Sequence, residues 1–259
     1  MTRRIACVVA HPDDDTYAVG GTLALRAEED LELTVIMTTS GEAGRIFDPS
    51  LATRANLGRV REREDRAAWR ALGLDPDIRF LRYPDGGVAD VPREDLVATY
   101  LGILLEARPE VVVTFGPDGI TGHEDHVTVG AAATEAFHAA RASGTDGFAR
   151  LLYNALPRSR IDRFNEILRG RGREPIDPTQ EFQPRGIPDE TIGVIVGCSA
   201  VYERKLDALR EHRTQGELED VPYDLWPEIL GSEAFVVAFP EREPGAPLLA
   251  DVFEGLPGS

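Results

Sequence analysis

Short apolar runs alternate with segments of helical periodicity along the first 155 residues. The apolar runs are 5–10, 31–39, 78–83, 111–115 and 151–155, and the helical patterns cover 21–29, 51–72, 95–107 and 123–140. Continuous apolar runs of this length are typical of strands buried on both faces. Because repeated β–α units form right-handed crossovers, the pattern predicts an α/β fold with a parallel sheet and helices on both faces.

The second half of the chain is less regular. A strand is predicted over 191–196, a helix over 202–212 and a late strand over 234–239. The stretch near 157–190 holds a short helical pattern and then many Pro, Gly and charged residues, so it is either a linker or an insertion that covers the substrate. No internal repeat and no second catalytic motif occur. We therefore predict one domain over 1–259 with a flexible insertion.

Two polar clusters follow the first and fourth predicted strands. The first is His11-Pro12-Asp13-Asp14-Asp15 and the second is His123-Glu124-Asp125-His126. Ligands of such sheets bind at the carboxyl ends of the strands, where the strand order reverses. If the order is 3-2-1-4, strands one and four are neighbours at that point, and the two clusters meet.

Three adjacent carboxylates beside a histidine favour a metal site over a solvated acidic turn. Their mutual repulsion raises the cost of ionising all three, and a bound cation removes that cost. His11, Asp14 and His126 form a set of two imidazoles and one carboxylate, which suits Zn²⁺ and leaves a fourth position for water. The sequence therefore predicts a catalytic zinc site.

The remaining members of the two clusters have the chemistry of catalytic groups. Asp13 is next to a ligand without being needed as one, which makes it the candidate base. His123 lies one helical turn before His126 and could polarise or protonate the reacting group. Asp125 is placed to orient one of the histidines.

Charge and composition exclude several classes of partner. The formal net charge is −17, which argues against nucleic acid and against an anionic membrane surface. No run reaches the length of a membrane span, and the N-terminus lacks a secretory pattern. Of the two cysteines, Cys7 lies inside the first predicted strand as a buried thiol. We expect a cytoplasmic protein, and a homo-oligomer stays open.

At these clusters the sequence resembles a known family, the LmbE-like or PIG-L zinc-dependent de-N-acetylases. The similarity lies in AHPDDDTYAVGGTLA (10–24), GPDGITGHEDHVTVG (116–130), YPDGG (83–87) and KLDALREHRTQ (205–215). It implies a Rossmann-like three-layer α/β/α fold, zinc, and hydrolysis of an N-acyl group from a small amino sugar or related conjugate. Carried over by position, the ligands are His11, Asp14 and His126, the base is Asp13, and His123 assists at the oxyanion or leaving amine.

Three residues match polar positions of the same family and are candidates for contacts with the sugar. They are Glu42, Arg61 and Asp85. Each could equally be a surface charge, and Asp85 could simply form a turn. Thr121 stands where the thiol-cofactor branch of the family carries a tyrosine, which weighs against a substrate of that branch.

Three functions compete. The first is an amidohydrolase that removes acetyl from an N-acetylglucosaminyl compound. The second is a metal-dependent hydrolase of another amide, such as a thiol conjugate or a natural product. The third, a nucleotide-binding domain, is disfavoured because the sequence has no G-x-G-x-x-G and would face phosphates with acidic residues.

Overall fold

A seven-stranded sheet runs through the protein, and the computed structural model describes residues 2–180, 182–216, 222–243 and 245–257. The strands are β1 (Arg3–Val9), β2 (Leu31–Thr39), β3 (Asp77–Tyr83), β4 (Val111–Phe115), β5 (Arg150–Ala155), β6 (Val194–Gly197) and β7 (Ser232–Phe239). Their order is β3-β2-β1-β4-β5-β7-β6. The mostly parallel sheet is confirmed, and its first four strands have the order 3-2-1-4 on which the meeting of the two clusters depends.

Helices cover both faces of this sheet. They are α1 (Asp14–Ala24), α2 (Leu57–Ala71), α3 (Arg93–Ala107), the short α4 (Gly119–Gly122), α5 (Glu124–Ala142), α6 (Arg158–Gly170), α7 (Tyr202–Glu211) and α8 (Trp226–Leu230). Helices α1 and α2 pack with α7, whereas α3 packs with α5. Right-handed crossovers place α1 and α2 on one face and α3 and α5 on the other, because the chain reverses its direction across the sheet after β3.

The reversal places β1 beside β4 at the centre of the sheet. The two strands are parallel, with Ile5 paired to Val111 and Cys7 to Val113. All five residues of β4 and six of the seven residues of β1 are buried. Both strands are thus fixed by apolar contacts from the two helix layers, and their carboxyl ends open at the same edge.

Two predicted helix starts were wrong. Helix α1 begins at Asp14 and not at 21, so it starts within the first polar cluster and carries Asp14 and Asp15 in its first turn. Acidic residues are favourable there because the helix N-terminus is positive. Helix α2 begins at Leu57 and not at 51, because the Asn56 side chain accepts a hydrogen bond from the backbone of Thr53 (2.7 Å) and forms a local turn instead.

The last two strands extend the sheet beyond β5, and of these β7 runs opposite to the other strands whereas β6 runs with them. Strand β7 lies antiparallel between β5 and β6. The strand predicted over 191–196 begins only at Val194, because a 3-10 turn occupies Asp189–Thr191. No helix in the described part of the chain is long and apolar enough to cross a membrane.

The segment near 157–190 lies against the main fold. Its first part forms α6, and further on the Arg185 backbone N–H donates to the Ile120 carbonyl (2.6 Å), next to the second polar cluster. The segment therefore contacts the loop that leads to His123. Its flexibility stays a prediction.

Candidate metal and catalytic centre

The ends of β1 and β4 bring His11, Asp14 and His126 together, as the strand order predicted. His11 Nδ1 lies 3.3 Å from one carboxylate oxygen of Asp14, and His126 Nε2 lies 3.3 Å from the other. The two ring nitrogens are 3.2 Å apart. Metal bonds of about 2.0–2.2 Å at tetrahedral angles separate neighbouring donor atoms by about 3.3 Å, so the three side chains fit a zinc ion.

The outer nitrogens of both histidines are held by oxygen acceptors. His11 Nε2 lies 3.2 Å from Asp125 Oδ2 and 3.0 Å from Asp85 Oδ1. His126 Nδ1 donates to the Gly119 carbonyl (3.0 Å). An outer N–H bonded to an oxygen fixes the tautomer and leaves the inner nitrogen as a ligand. Both inner nitrogens face Asp14, which is the arrangement of a metal site.

Other donor groups also converge on His11. It lies with His123 and His126 in one group and with Asp85 and Asp125 in another. The two carboxylates of the second group already accept backbone hydrogen bonds: Asp125 from Gly86 (2.8 Å) and Val88 (3.1 Å), and Asp85 from Ala43 (2.7 Å). Asp125 thus lies between His11 and the loop after β3, and its predicted role in orienting His11 stays a prediction.

The three consecutive aspartates point in three directions. Asp13 accepts a hydrogen bond from Arg61 (2.8 Å), and Asp14 turns to the histidines. Asp15 turns into the core, where it accepts hydrogen bonds from the Trp69 indole (2.6 Å) and the Thr16 backbone (2.8 Å). Their different environments let one turn hold three carboxyl groups without three facing charges.

Burial and neighbouring charges separate the pKa values of these groups. Burial opposes the ionised form of Asp14, but the charges of His126 and His11 outweigh it and hold its pKa well below the usual range. For Asp15, burial dominates and raises the pKa to about 6. Burial lowers the pKa of His11, yet hydrogen bonds to Asp125, Asp14 and Asp85 overcome it and raise that pKa well above its usual value.

His123 lies at the edge of the centre, with its ring centroid 4.9 Å from that of His11. Its Nδ1 accepts a hydrogen bond from the Asp125 backbone (3.1 Å) and so caps helix α5. Burial, and then the charge of His11, lower its pKa. The ring is therefore neutral at pH 7, and its proton sits on Nε2, away from the cap.

These groups line one cavity of about 950 Å³. Its walls include the three ligand candidates His11, Asp14 and His126 and two of the three catalytic candidates, Asp13 and His123, whereas Asp125 lies behind His11. Of the predicted substrate contacts, Arg61 and Asp85 also lie in the wall, whereas Glu42 does not and instead accepts the Asp85 backbone N–H (3.0 Å). The roles of these three residues in substrate binding stay predictions.

Arg61 has a structural task that the sequence pattern did not reveal. It is only 4% exposed, and besides Asp13 its guanidinium donates to the carbonyl groups of Pro12 (2.6 Å) and Gly41 (2.9 Å). It thereby holds the turn of the first cluster against the loop after β2. Only its helical position in α2, facing that turn, could have indicated this.

A buried ion pair anchors the helix that carries Asp14. Lys205 donates to the Glu233 carboxylate and to the Tyr17 carbonyl (3.0 Å). Glu233 in turn accepts the backbone N–H groups of Gly21 (2.7 Å) and Thr22 (2.8 Å). Lys205 is the single lysine of the sequence, which could have drawn attention to it. Its role was not predicted because it lies far from both polar clusters along the chain.

Two further side chains pack on the histidines. The ring of Phe115, the last residue of β4, stacks on His126 with centroids 4.2 Å apart. Phe182, in the segment near 157–190, lies 5.2 Å from His123. His212, which comes directly after α7, is buried, and its Nε2 lies 3.1 Å from Thr16 Oγ1.

Comparison with known families agrees with this geometry. Residues 6–137 match the family described as GlcNAc-PI de-N-acetylase, or PIG-L. The chain belongs to the PIG-L family. A relative from Geodermatophilus obscurus, named 1D-myo-inositol 2-acetamido-2-deoxy-alpha-D-glucopyranoside deacetylase, is 33% identical to this PIG-L protein over 99% of each chain.

Solved structures agree on the fold. The conserved protein TT1542 from Thermus thermophilus is 24% identical, with a TM-score of 0.63 over 94% of this chain and 97% of that one. N,N'-diacetylchitobiose deacetylase from Pyrococcus horikoshii is 23% identical, with a TM-score of 0.58 over 94% of this chain and 84% of that one. Both likenesses support the α/β architecture of the PIG-L protein.

Proposed function

We propose that this PIG-L protein is a zinc-dependent deacetylase that hydrolyses the N-acetyl group of an N-acetylglucosamine-type sugar or glycoconjugate. The observation that carries the proposal is the convergence of His11, Asp14 and His126 in one cavity with Asp13 and His123. This is the donor set of a catalytic zinc site, with a candidate base and a candidate proton donor beside it.

The metal would be held by His11 Nδ1, Asp14 and His126 Nε2. When bound, zinc supplies an activated water molecule and polarises the acyl carbonyl. The outer nitrogens of the two histidines keep their protons and donate them in hydrogen bonds to Asp125 and to the Gly119 carbonyl. The inner nitrogens therefore stay unprotonated and available to the metal. Gly119 has φ +59, a conformation that glycine adopts without strain, and this aims its carbonyl at His126.

Asp13 accepts the proton of the attacking water. Its carboxylate lies in the cavity wall, and the hydrogen bond from Arg61 to Oδ2 (2.8 Å) fixes the orientation of the group there. The backbone of Asp13 has φ +118, and strained residues of this kind occur at active sites whose surroundings hold them in place. Arg61 supplies that hold.

His123 stabilises the developing oxyanion and then protonates the leaving amine. Its Nδ1 is occupied by the Asp125 backbone N–H, so Nε2 presents the proton. Because burial and the charge of His11 lower its pKa, the ring does not carry a permanent charge that would repel the bound metal.

The substrate class is supported by the relatives and by the cavity. The relative from Geodermatophilus obscurus and the enzyme from Pyrococcus horikoshii are both named as deacetylases of N-acetylated sugars. A cavity of about 950 Å³ is large enough for an amino sugar that carries a second ring.

Acetate release from a panel of N-acetylated amino sugars tests the proposal. The zinc-loaded protein should release acetate from at least one N-acetylglucosaminide, and His126→Ala should lose both zinc and activity. His138→Ala is the matched control, because His138 is exposed on the same helix and should keep both. A His126→Ala protein with full zinc content would refute the ligand set, and no acetate release from any member would refute the activity.

A further inference from the structure

The cavity extends past the metal-binding side chains towards β5, β7 and α6, where Asn154 and Arg160 lie in its wall. We propose that Asn154 and Arg160 form a subsite for an anionic oxygen group, a phosphate or a carboxylate, attached to the amino sugar of the substrate. This inference rests on the proposed deacetylase function and adds to it the chemical class of the group beyond the sugar.

Asn154 offers a side-chain amide without a partner. Its Oδ1 is buried, and within the described residues its amide makes no hydrogen bond to the protein. Buried polar atoms are almost always paired in folded proteins, so an unpaired amide in the wall of a substrate cavity is suited to a ligand. Which amide atom faces the ligand depends on the ligand, because the group both donates and accepts.

Arg160 offers a positive charge that no carboxylate neutralises. Its guanidinium donates to the carbonyl (3.0 Å) and the hydroxyl (2.6 Å) of Ser232, both of them neutral, and across the described ranges no acidic oxygen lies within 4 Å of it. Among the described residues, three other cations line the cavity: Arg61 is paired with Asp13 and Lys205 with Glu233, whereas Arg45 donates to the carbonyl groups of Gln215 and Gly216 on the opposite side of the metal-binding side chains from β5. In a protein of net charge −17, a guanidinium without a carboxylate partner in this cavity favours an anionic ligand.

The burial of the Arg160 guanidinium also favours an anionic ligand. Burial lowers the pKa of its guanidinium, and the charges of Glu228 and Glu233 only partly offset this. Glu228 is paired with Arg163, and Glu233 is paired with Lys205. A ligand carboxylate or phosphate would supply the missing countercharge.

The sheet places the subsite at a suitable distance from the metal-binding side chains. Asn154 pairs with Phe115 across β4 and β5, and the Phe115 ring stacks on His126. Asn154 thus lies on the strand next to Phe115, about 4.8 Å away across the sheet, and Phe115 in turn contacts the ligand candidate His126. Arg160 follows in the first turn of α6, beyond the end of β5. A sugar with its acetamide at the metal would reach Asn154 first and then Arg160.

The test compares four substrates of the zinc-loaded enzyme. Two are anionic, N-acetylglucosamine 1-phosphate and carboxymethyl N-acetylglucosaminide, and two are neutral, N-acetylglucosamine and its inositol glycoside. The wild type should have its highest kcat/KM with an anionic member, and the better of the two distinguishes phosphate from carboxylate. Arg160→Gln should lower kcat/KM for the anionic pair by about tenfold or more, as a lost charge-assisted hydrogen bond predicts, and leave the neutral pair unchanged.

A second variant keeps the test valid if Arg160→Gln folds poorly. Asn154→Asp preserves size and breaks no protein hydrogen bond, and its carboxylate competes with the substrate anion for the guanidinium. It should therefore lower kcat/KM for the two anionic substrates and leave kcat/KM for the two neutral ones unchanged. Arg169→Gln is the matched control, since Arg169 lies exposed on α6 outside the cavity and should behave as wild type.

The outcomes separate this inference from the proposed function. If both variants lower kcat/KM equally for all four substrates, or if the wild type has its highest kcat/KM with the inositol glycoside, the anionic subsite is overturned while deacetylation stands. If no substrate releases acetate, the proposed activity is wrong, and calorimetric titration with N-acetylglucosamine 1-phosphate decides the subsite alone. Binding that is lost in Arg160→Gln would support it, and equal binding by both proteins would overturn it.

Discussion

Replacement of Asp13 by asparagine should separate the base from the metal ligands. Asn keeps the size of the side chain and, like Asp, tolerates the positive φ of this position (+118). The amide oxygen can still accept the hydrogen bond that Arg61 now donates over 2.8 Å. Arg61 also keeps the carbonyl groups of Pro12 and Gly41 as acceptors, so the loss at Arg61 is limited to the charge-assisted part of one hydrogen bond.

The structural cost of this change should be small and the catalytic cost large. The lost charge assistance is worth about 1 kcal/mol of unfolding free energy, from the difference between charged and neutral hydrogen bonds. Removal of a positioned general base should lower kcat by roughly 10²–10⁴-fold, which corresponds to about 3–5 kcal/mol of transition-state free energy. Acetate release at saturating substrate, elemental zinc analysis and urea unfolding measure the three quantities on one preparation.

Asp14→Asn supplies the contrast, because Asp14 and not Asp13 faces both histidines. That variant should lose zinc affinity first and recover part of its activity with excess zinc. The assignment of roles would be refuted if Asp13→Asn shed its zinc while Asp14→Asn kept it. A kcat of Asp13→Asn within about threefold of wild type, roughly 0.6 kcal/mol, would refute the role of Asp13 as base.

Two further predictions concern stability. Gly21→Ala should lower the free energy of unfolding, measured in urea, by about 1–3 kcal/mol, because the new Cβ would lie 2.7 Å from the Cys198 thiol. Gly102→Ala is the control and should stabilise the protein slightly, because its Cβ would point into open space. Equal stability of the two variants would contradict the packing around Gly21. Burial, and then the charge of Arg61, lower the pKa of His212 from 6.5 to about 3. The unfolded state therefore binds the extra proton between these values, and this group should remove stability by about 1.4 kcal/mol per pH unit as the pH falls from 6.5 towards 3. His212→Gln, which preserves a partner for Thr16, should have a shallower dependence in the metal-free protein, and parallel curves for the two proteins would rule this out.

The central part of the site was predictable because its determinants are local. The first polar cluster comes just after β1, and the second follows β4 across the loop 116–122. In the order 3-2-1-4, β1 and β4 are neighbours, so their carboxyl ends bring His11 and His126 to the same edge of the sheet. Strand β2 and strand β4 were predicted with their observed bounds, since each is rich in apolar and β-branched residues and is followed by a turn sequence, Ser40-Gly41 after β2 and Gly116-Pro117 after β4.

The element boundaries that were wrong lie where side chains compete with periodicity. The helical pattern begins before Leu57, but the Asn56 side chain bonds the Thr53 backbone and delays the helix. The helix after the first polar cluster was predicted to begin only at 21, at the second of the two glycines Gly20 and Gly21. In the fold they lie inside the helix, where Gly21 allows the Cys198 side chain and the Glu233 carboxylate to approach the backbone. Neither partner is near Gly21 in the sequence.

By itself the sequence determined the sheet, the meeting of the two clusters and the donor set for a metal. These follow from hydrophobic periodicity and residue type, which act within one element or between adjacent strands. The tertiary structure alone decided which way each of three consecutive aspartates points, that Arg61 holds Asp13, and that Asn154 and Arg160 share a wall of the cavity. Such pairings depend on packing between elements far apart along the chain, and strand β7, inserted antiparallel between β5 and β6, creates the last of them.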